Sequence, residues 1–252
     1  MKKLIFVLAI IGFITTASAT VSTANTATIA NATLQDEEAP AQSASFTQEL
    51  KKRFIEGGPG FMGIVLICLI LGLAISIERI IFLNLATTNT KKLTDGVEEA
   101  LSSGGVNAAK EFCRNTKGPV ASIFYQGLDR MDEGVESAEK AVVAYGGVQM
   151  GQLEKNVSWI SLFIALAPML GFMGTVIGMI QAFDKIEAAG DMQPSLVAGG
   201  IKVALLTTVF GLIVAIILQV FYNYIVAKID SIVNDMEDAS ITLIDILVSQ
   251  KK

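Results

Sequence analysis

Long apolar runs alternate with a single polar stretch, and that pattern sets the elements. Leu4–Ile14 is apolar but too short to cross a bilayer. Phe61–Leu83, Trp159–Phe183 and Val203–Ile225 are long enough, since ~20 residues at ~1.5 Å each cover ~30 Å of hydrocarbon. Residues 84–157 are the main polar stretch. Its glycines and prolines predict four helical pieces: Lys91–Leu101 ended by Gly104-Gly105, Val106–Asn115, Val120–Met131 after Gly118-Pro119, and one that begins near Val135. Apart from Gly151, nothing interrupts the last piece before Trp159, so it is expected to run straight into the second span. After the third span, Ile229, Ile232, Val233, Met236, Ala239 and Leu243 continue at helical spacing, with Asp230, Asp235, Glu237 and Asp238 largely on the other side.

The pattern predicts an all-α integral membrane protein with three transmembrane helices, two of them long and extending into a cytoplasmic helical domain. Lys2 and Lys3, the short apolar core and Ala17-Ser18-Ala19 read as a signal peptide over 1–19, with an uncleaved anchor helix as the alternative. Residues 20–56 read as an exported tail. Its first part is too poor in large apolar groups to fold alone. Phe46, Leu50 and Phe54 share one face of a short helix at the membrane surface or of the first turns of the next helix, and Lys51, Lys52 and Arg53 reach lipid phosphates. The remaining divisions are transmembrane helix 1 over 57–83, the cytoplasmic domain over 84–157, helix 2 over 158–183, a periplasmic loop over 184–199, helix 3 over 200–226 and a cytoplasmic C-terminal helix over 227–252. Glu78 and Arg79, near the end of the first span, are expected at headgroup level or paired with each other.

Charge supports the same orientation. The 184–199 loop has Lys185 as its basic residue, whereas 84–157 hold Lys91, Lys92, Lys110, Arg114, Lys117, Arg130, Lys140 and Lys155. Lys51, Lys52 and Arg53 on the outer side count against it, and the signal and the loop asymmetry outvote them. The reading is therefore a multi-pass membrane protein, N-terminus outside and C-terminus cytoplasmic.

Composition narrows the chemistry. The chain is 52% hydrophobic over 252 residues and carries a net charge of −5 with no basic block, which argues against nucleic acid as a partner. There is no histidine, no phosphate-binding glycine loop and no nucleophile motif, so an enzyme is not expected, nor a cofactor or a metal site. Cys68 and Cys113 read as small buried hydrophobes.

The informative residues lie in the last two spans. Pro168, Gly171, Thr175, Gly178 and Ala182 share one helical edge, with Gly174 nearby; Ala204, Thr208, Gly211 and Ala215 share another, with Thr207 beside it. Two readings stand side by side. The slim edges pack closely, each threonine bonded to its own backbone. Or they line an ion path, with Thr175 and Thr208 replacing part of a hydration shell. Neither span has a carboxylate at mid-depth, so a path would need an acidic group from a partner helix. Asp184 and Lys202, at the outer ends, read as snorkelling side chains or as a candidate outer gate.

Ala167-Pro168-Met169-Leu170-Gly171-Phe172-Met173-Gly174-Thr175-Val176-Ile177-Gly178-Met179-Ile180 resembles the A-P-L-L-G-L-L-G-T-V-x-G-M-I signature of the ExbB/TolQ/MotA proton-channel family. Ala204-Leu205-Leu206-Thr207-Thr208-Val209-Phe210-Gly211-Leu212-Ile213-Val214-Ala215-Ile216 resembles its last-span signature, and Tyr222-Asn223 also fits. The likeness covers roughly 54–240 and is greatest to ExbB-type biopolymer transport proteins. It implies a ring-forming homo-oligomer, a pentamer, around an ExbD-like single-span partner whose aspartate carries H+ or Na+. Work would pass to a TonB-like protein. Thr175 and Thr208 match the family's pore-facing threonines. Three positions depart from the pattern: Val203 stands where many members place glutamate, Ile217 where proline is common, and Thr207 where proton-driven members tend to have alanine. The paired-threonine form resembles sodium-driven members, and the extra oxygen would help hold sodium. The competing readings are a TolQ-like envelope-integrity or motility motor subunit, and a passive membrane scaffold without an ion path.

Overall fold

The computed structural model describes residues 46–190 and 194–250. The expected signal and residues 20–45 of the expected tail lie outside the described residues. The chain divides into one unit ending at Arg53 and a second starting at Phe54. A helix, α1 (Phe46–Glu56), forms where Phe46, Leu50 and Phe54 predict one.

α2 (Pro59–Ala86) starts at Pro59, where a missing N–H costs nothing because the first helical donors have no partner anyway. It stops where Thr87 turns extended, the Thr87 hydroxyl donating to Leu83 O at 2.8 Å. Asn89 caps α3 (Thr90–Asn115) by accepting from the Lys92 N–H at 3.1 Å. Gly105 breaks α3 in the middle with φ 71° and ψ −167°, a backbone shape that an L side chain resists. α4 (Pro119–Asp129), a short 3-10 turn at Met131–Glu133 and α5 (Val135–Leu153) follow.

The expected unbroken passage from α5 into the second span is interrupted at Glu154–Asn156. Asn156 is left-handed at φ 66°, a conformation that asparagine tolerates because its side chain can bond locally. α6 (Val157–Ala189) then continues well past Phe183, and α7 (Pro194–Gln250) begins before the third span. Residues 184–199, expected as a loop, are thus largely helical. Asp184, Lys185 and Glu187 do not stop a helix; Gly190 does, at φ 67°, with its N–H on Ile186 O at 3.1 Å.

The three apolar helices hold 28, 33 and 57 residues. At ~1.5 Å per residue they run ~42, ~50 and ~86 Å, each beyond the ~30 Å of a hydrocarbon core. Their apolar stretches are only 28%, 22% and 28% buried within one chain. The exposed remainder, including Ile67, Ile70, Phe172, Phe183, Leu205 and Ile216, is suited to acyl chains or further protein. The chain is a multi-pass membrane protein.

Two cores hold the unit that begins at Phe54. In the polar bundle, Leu83, Val97, Phe124, Leu128, Ile225 and Leu243 are fully buried and join α2, α3, α4 and α7. Each contributes about 1.5–3 kcal/mol on burial. At membrane depth a smaller cluster forms from Val65, Ala167, Val214 and Leu218. Arg79 ties the two levels together. It is 4% exposed, grips both oxygens of Glu78 at 2.7 and 2.6 Å, and sits 4.5 Å over the Phe82 ring. It also donates to Gln152 O at 3.4 Å, near the end of α5, where helix carbonyls lack partners and attract a cation. The pair with Glu78 is as expected; the burial and the reach to α5 are not visible in the sequence.

Candidate ion-path site

The site grows from the lack of side chains along α6 and α7. Contacts run Ala167 to Gly211, Gly171 to Thr207 and Thr208, and Gly178 to Ala204, so the two helices pack antiparallel. A β-carbon on Gly211 would lie 2.6 Å from Ala167 O and 3.2 Å from Gly171 Cα. One on Gly171 would lie 2.9 Å from Thr207 O. Backbone therefore touches backbone at that level. Gly178 is roomier, with Ala204 Cβ at 3.4 Å. A β-carbon on Gly174 would lie 2.8 Å from Thr207 Oγ1 and 3.2 Å from the Phe61 ring, towards α2. Pro168 and Ala215 are half-buried.

This closeness brings the hydroxyls of Thr175 and Thr208 into a direct hydrogen bond across the seam. Each is half-buried and each also reaches carbonyls on both helices. Thr175 Oγ1 lies 3.2 Å from Gly171 O and 3.1 Å from Ala204 O. Thr208 Oγ1 lies 3.3 Å from Gly171 O and 3.5 Å from Ala204 O. Two hydroxyl and two carbonyl oxygens thus converge from opposite helices. Oxygens so grouped can replace part of an ion's water shell or order a water file. From Val157 to Phe183 and from Val203 to Ala227 neither helix has an Asp, Glu, Lys or Arg.

Thr207 does not join this cluster. It is 1% exposed, on the side of α7 that meets Gly174, and donates to Ala204 O at 2.8 Å. At the end of the seam away from the polar bundle, Lys202 pairs with Glu56 at 3.0 Å. Asp184 is exposed, and no ion pair joins it to Lys202 among the described residues. Sequence reasoning missed Glu56 and the two carbonyls. Glu56 had a signal, a carboxylate next to the Gly57-Gly58 break at the same end as Lys202.

The two motifs and their seam fall inside residues 115–238, which match the MotA/TolQ/ExbB proton channel family. The chain belongs to that family. Over 169 residues it is 32% identical to an ExbB biopolymer-transport homolog of Methanothermobacter thermautotrophicus, covering 67% of this chain and 60% of that protein. It is 29% identical over 158 residues to an ExbB-like biopolymer transport protein of Synechocystis, covering 61% of this chain and 74% of that one. A biopolymer transport protein ExbB of Aquifex aeolicus is 34% identical over 86 residues, 34% of this chain and 58% of that protein. MotA/TolQ/ExbB is a family of channel and transport subunits and not of enzymes. Both signature stretches lie on α6 and α7, the pair of helices that forms the seam.

Proposed function

We propose that this chain is an ExbB-like ion-path subunit of the bacterial inner membrane that couples proton or sodium motive force to TonB-dependent outer-membrane transport. The observation that carries the reading is the Thr175–Thr208 hydroxyl pair, flanked by the Gly171 and Ala204 carbonyls, in a seam without a carboxylate of its own. The oxygens solvate an ion but do not carry a proton across by titrating. An ExbD-like single-span partner supplies the aspartate that does. Five copies of the chain surround the partner, with α6 and α7 facing it. The N-terminus lies in the periplasm and the C-terminus in the cytoplasm. Partner movement past the seam then does work on a TonB-like protein.

The test is flux in vesicles holding the chain with its co-purified single-span partner, under a pH or a sodium gradient. Thr175→Val with Thr208→Val keeps volume and removes both hydroxyls. Flux should fall by about tenfold or more, the loss of two hydrogen-bonding groups to the ion. Undiminished flux from a normally assembled complex overturns the reading and leaves a passive scaffold.

A further inference from the structure

The Ala204 carbonyl is approached by more donors than it can accept. In the α7 ladder it accepts the Thr208 N–H, which uses one of its two lone pairs. Three hydroxyls compete for the other: Thr207 at 2.8 Å, Thr175 at 3.1 Å and Thr208 at 3.5 Å. Thr207 has the shortest approach, is sealed in at 1% exposure against Gly174, and has no other acceptor among the described residues. It takes that lone pair.

The consequence falls on the other two. Gly171 O likewise has one lone pair left after the Thr175 N–H of α6. Thr175 and Thr208 then own two protons and share one carbonyl position. One hydroxyl donates to Gly171 O and the other must donate to its partner hydroxyl, which is the cross-seam bond observed. We infer that Thr207 is a positioning residue: from the buried side of α7, by occupying the Ala204 carbonyl, it forces the Thr175 and Thr208 hydroxyls onto each other. Without its hydroxyl, Ala204 O is free to accept Thr175 while Gly171 O accepts Thr208. No proton then lies between the two oxygens, and they part. Thr207 is not an extra oxygen in the path, as the sequence suggests; it acts one carbonyl away from it.

This inference rests on the proposed ion path only for its effect on flux, so its first test needs no flux. Thermal unfolding midpoints of the purified full chain are measured for Thr207→Val, Thr207→Ser and the Thr175→Val/Thr208→Val pair, alone and combined. Thr207→Val should lower the midpoint less in the native background, where the Thr175 hydroxyl refills the Ala204 carbonyl, than in the pair background, where nothing does. Thr207→Ser should restore it. An equal fall in both backgrounds means that Thr207 merely packs on Gly174 and Phe61, and overturns the inference; so does no fall at all. In vesicles with the partner, Thr207→Val should raise the half-saturating ion concentration about three- to tenfold, the loss of one well-placed hydrogen bond, with maximal flux little changed. A non-additive midpoint cycle with unaltered flux in the Thr175→Val/Thr208→Val pair sinks the ion-path reading and keeps the linkage.

Discussion

Two glycines in one seam should respond in opposite ways to the same added methyl group. On Gly211 the new carbon falls 2.6 Å from Ala167 O, whereas ordinary contacts begin near 3.4 Å. The neighbour is backbone, so the helices themselves must part by several tenths of an ångström. Overpacking of that kind costs about 1–3 kcal/mol. Replacing a mid-helix glycine by alanine returns about 0.5–1 kcal/mol in backbone entropy. Gly211→Ala should therefore lose up to about 2.5 kcal/mol net. On Gly178 the carbon meets Ala204 Cβ at 3.4 Å, an ordinary contact, and only the entropic gain remains. For a chain of this size 1 kcal/mol moves the midpoint by about 2–4 °C. Thermal unfolding in detergent should show Gly211→Ala falling by up to about 10 °C and Gly178→Ala rising by about 1–4 °C. If both rise, or both fall together, backbone contact does not set the seam.

Other regions give separate tests. Arg79→Leu should cost about 2–3 kcal/mol, as a charged hydrogen-bonding group is removed from a buried position, and should speed protease cleavage near Glu154–Asn156. Lys202→Ala breaks a pair whose side chains are 50% and 25% exposed, so stability should shift by less than about 1 kcal/mol, and a fall in vesicle flux with no change in midpoint would mark the outer gate. Burial pushes the Cys113 thiol up from 9.0 to about 12. The folded state favours the neutral thiol, so its contribution to stability is full below pH 9 and is lost as pH rises towards 12. A maleimide at pH 7–8 should leave Cys113 unmodified until the protein unfolds, and early labelling would refute the packed position.

Some of the architecture is legible from residue order alone. Apolar length gives three long helices, and Gly104-Gly105 marks the break inside α3. The elbow at Asn156 is not legible, because asparagine permits a left-handed turn without announcing one. Nor is the reach of α6 and α7 into 184–199, since charged residues there leave a helix intact. Residues Thr207 and Thr208 stand side by side in the sequence, yet ~100° of helical rotation sends one inward and leaves the other at the seam. That angular separation was legible in the sequence. Which side faces Gly174 was not, because it depends on where α2 packs.

The 57 residues of α7 run without interruption from Pro194 to Gln250. α6, by contrast, is jointed to α5 at Asn156. Taking the hydroxyl pair as fulcrum, ~40 residues of stiff rod lie beyond it, a lever arm of ~60 Å at ~1.5 Å per residue. Tilting that arm by ~5° would swing its tip by ~5 Å, and the buried Ile225 and Leu243 contacts with α2, α3 and α4 would have to shift with it.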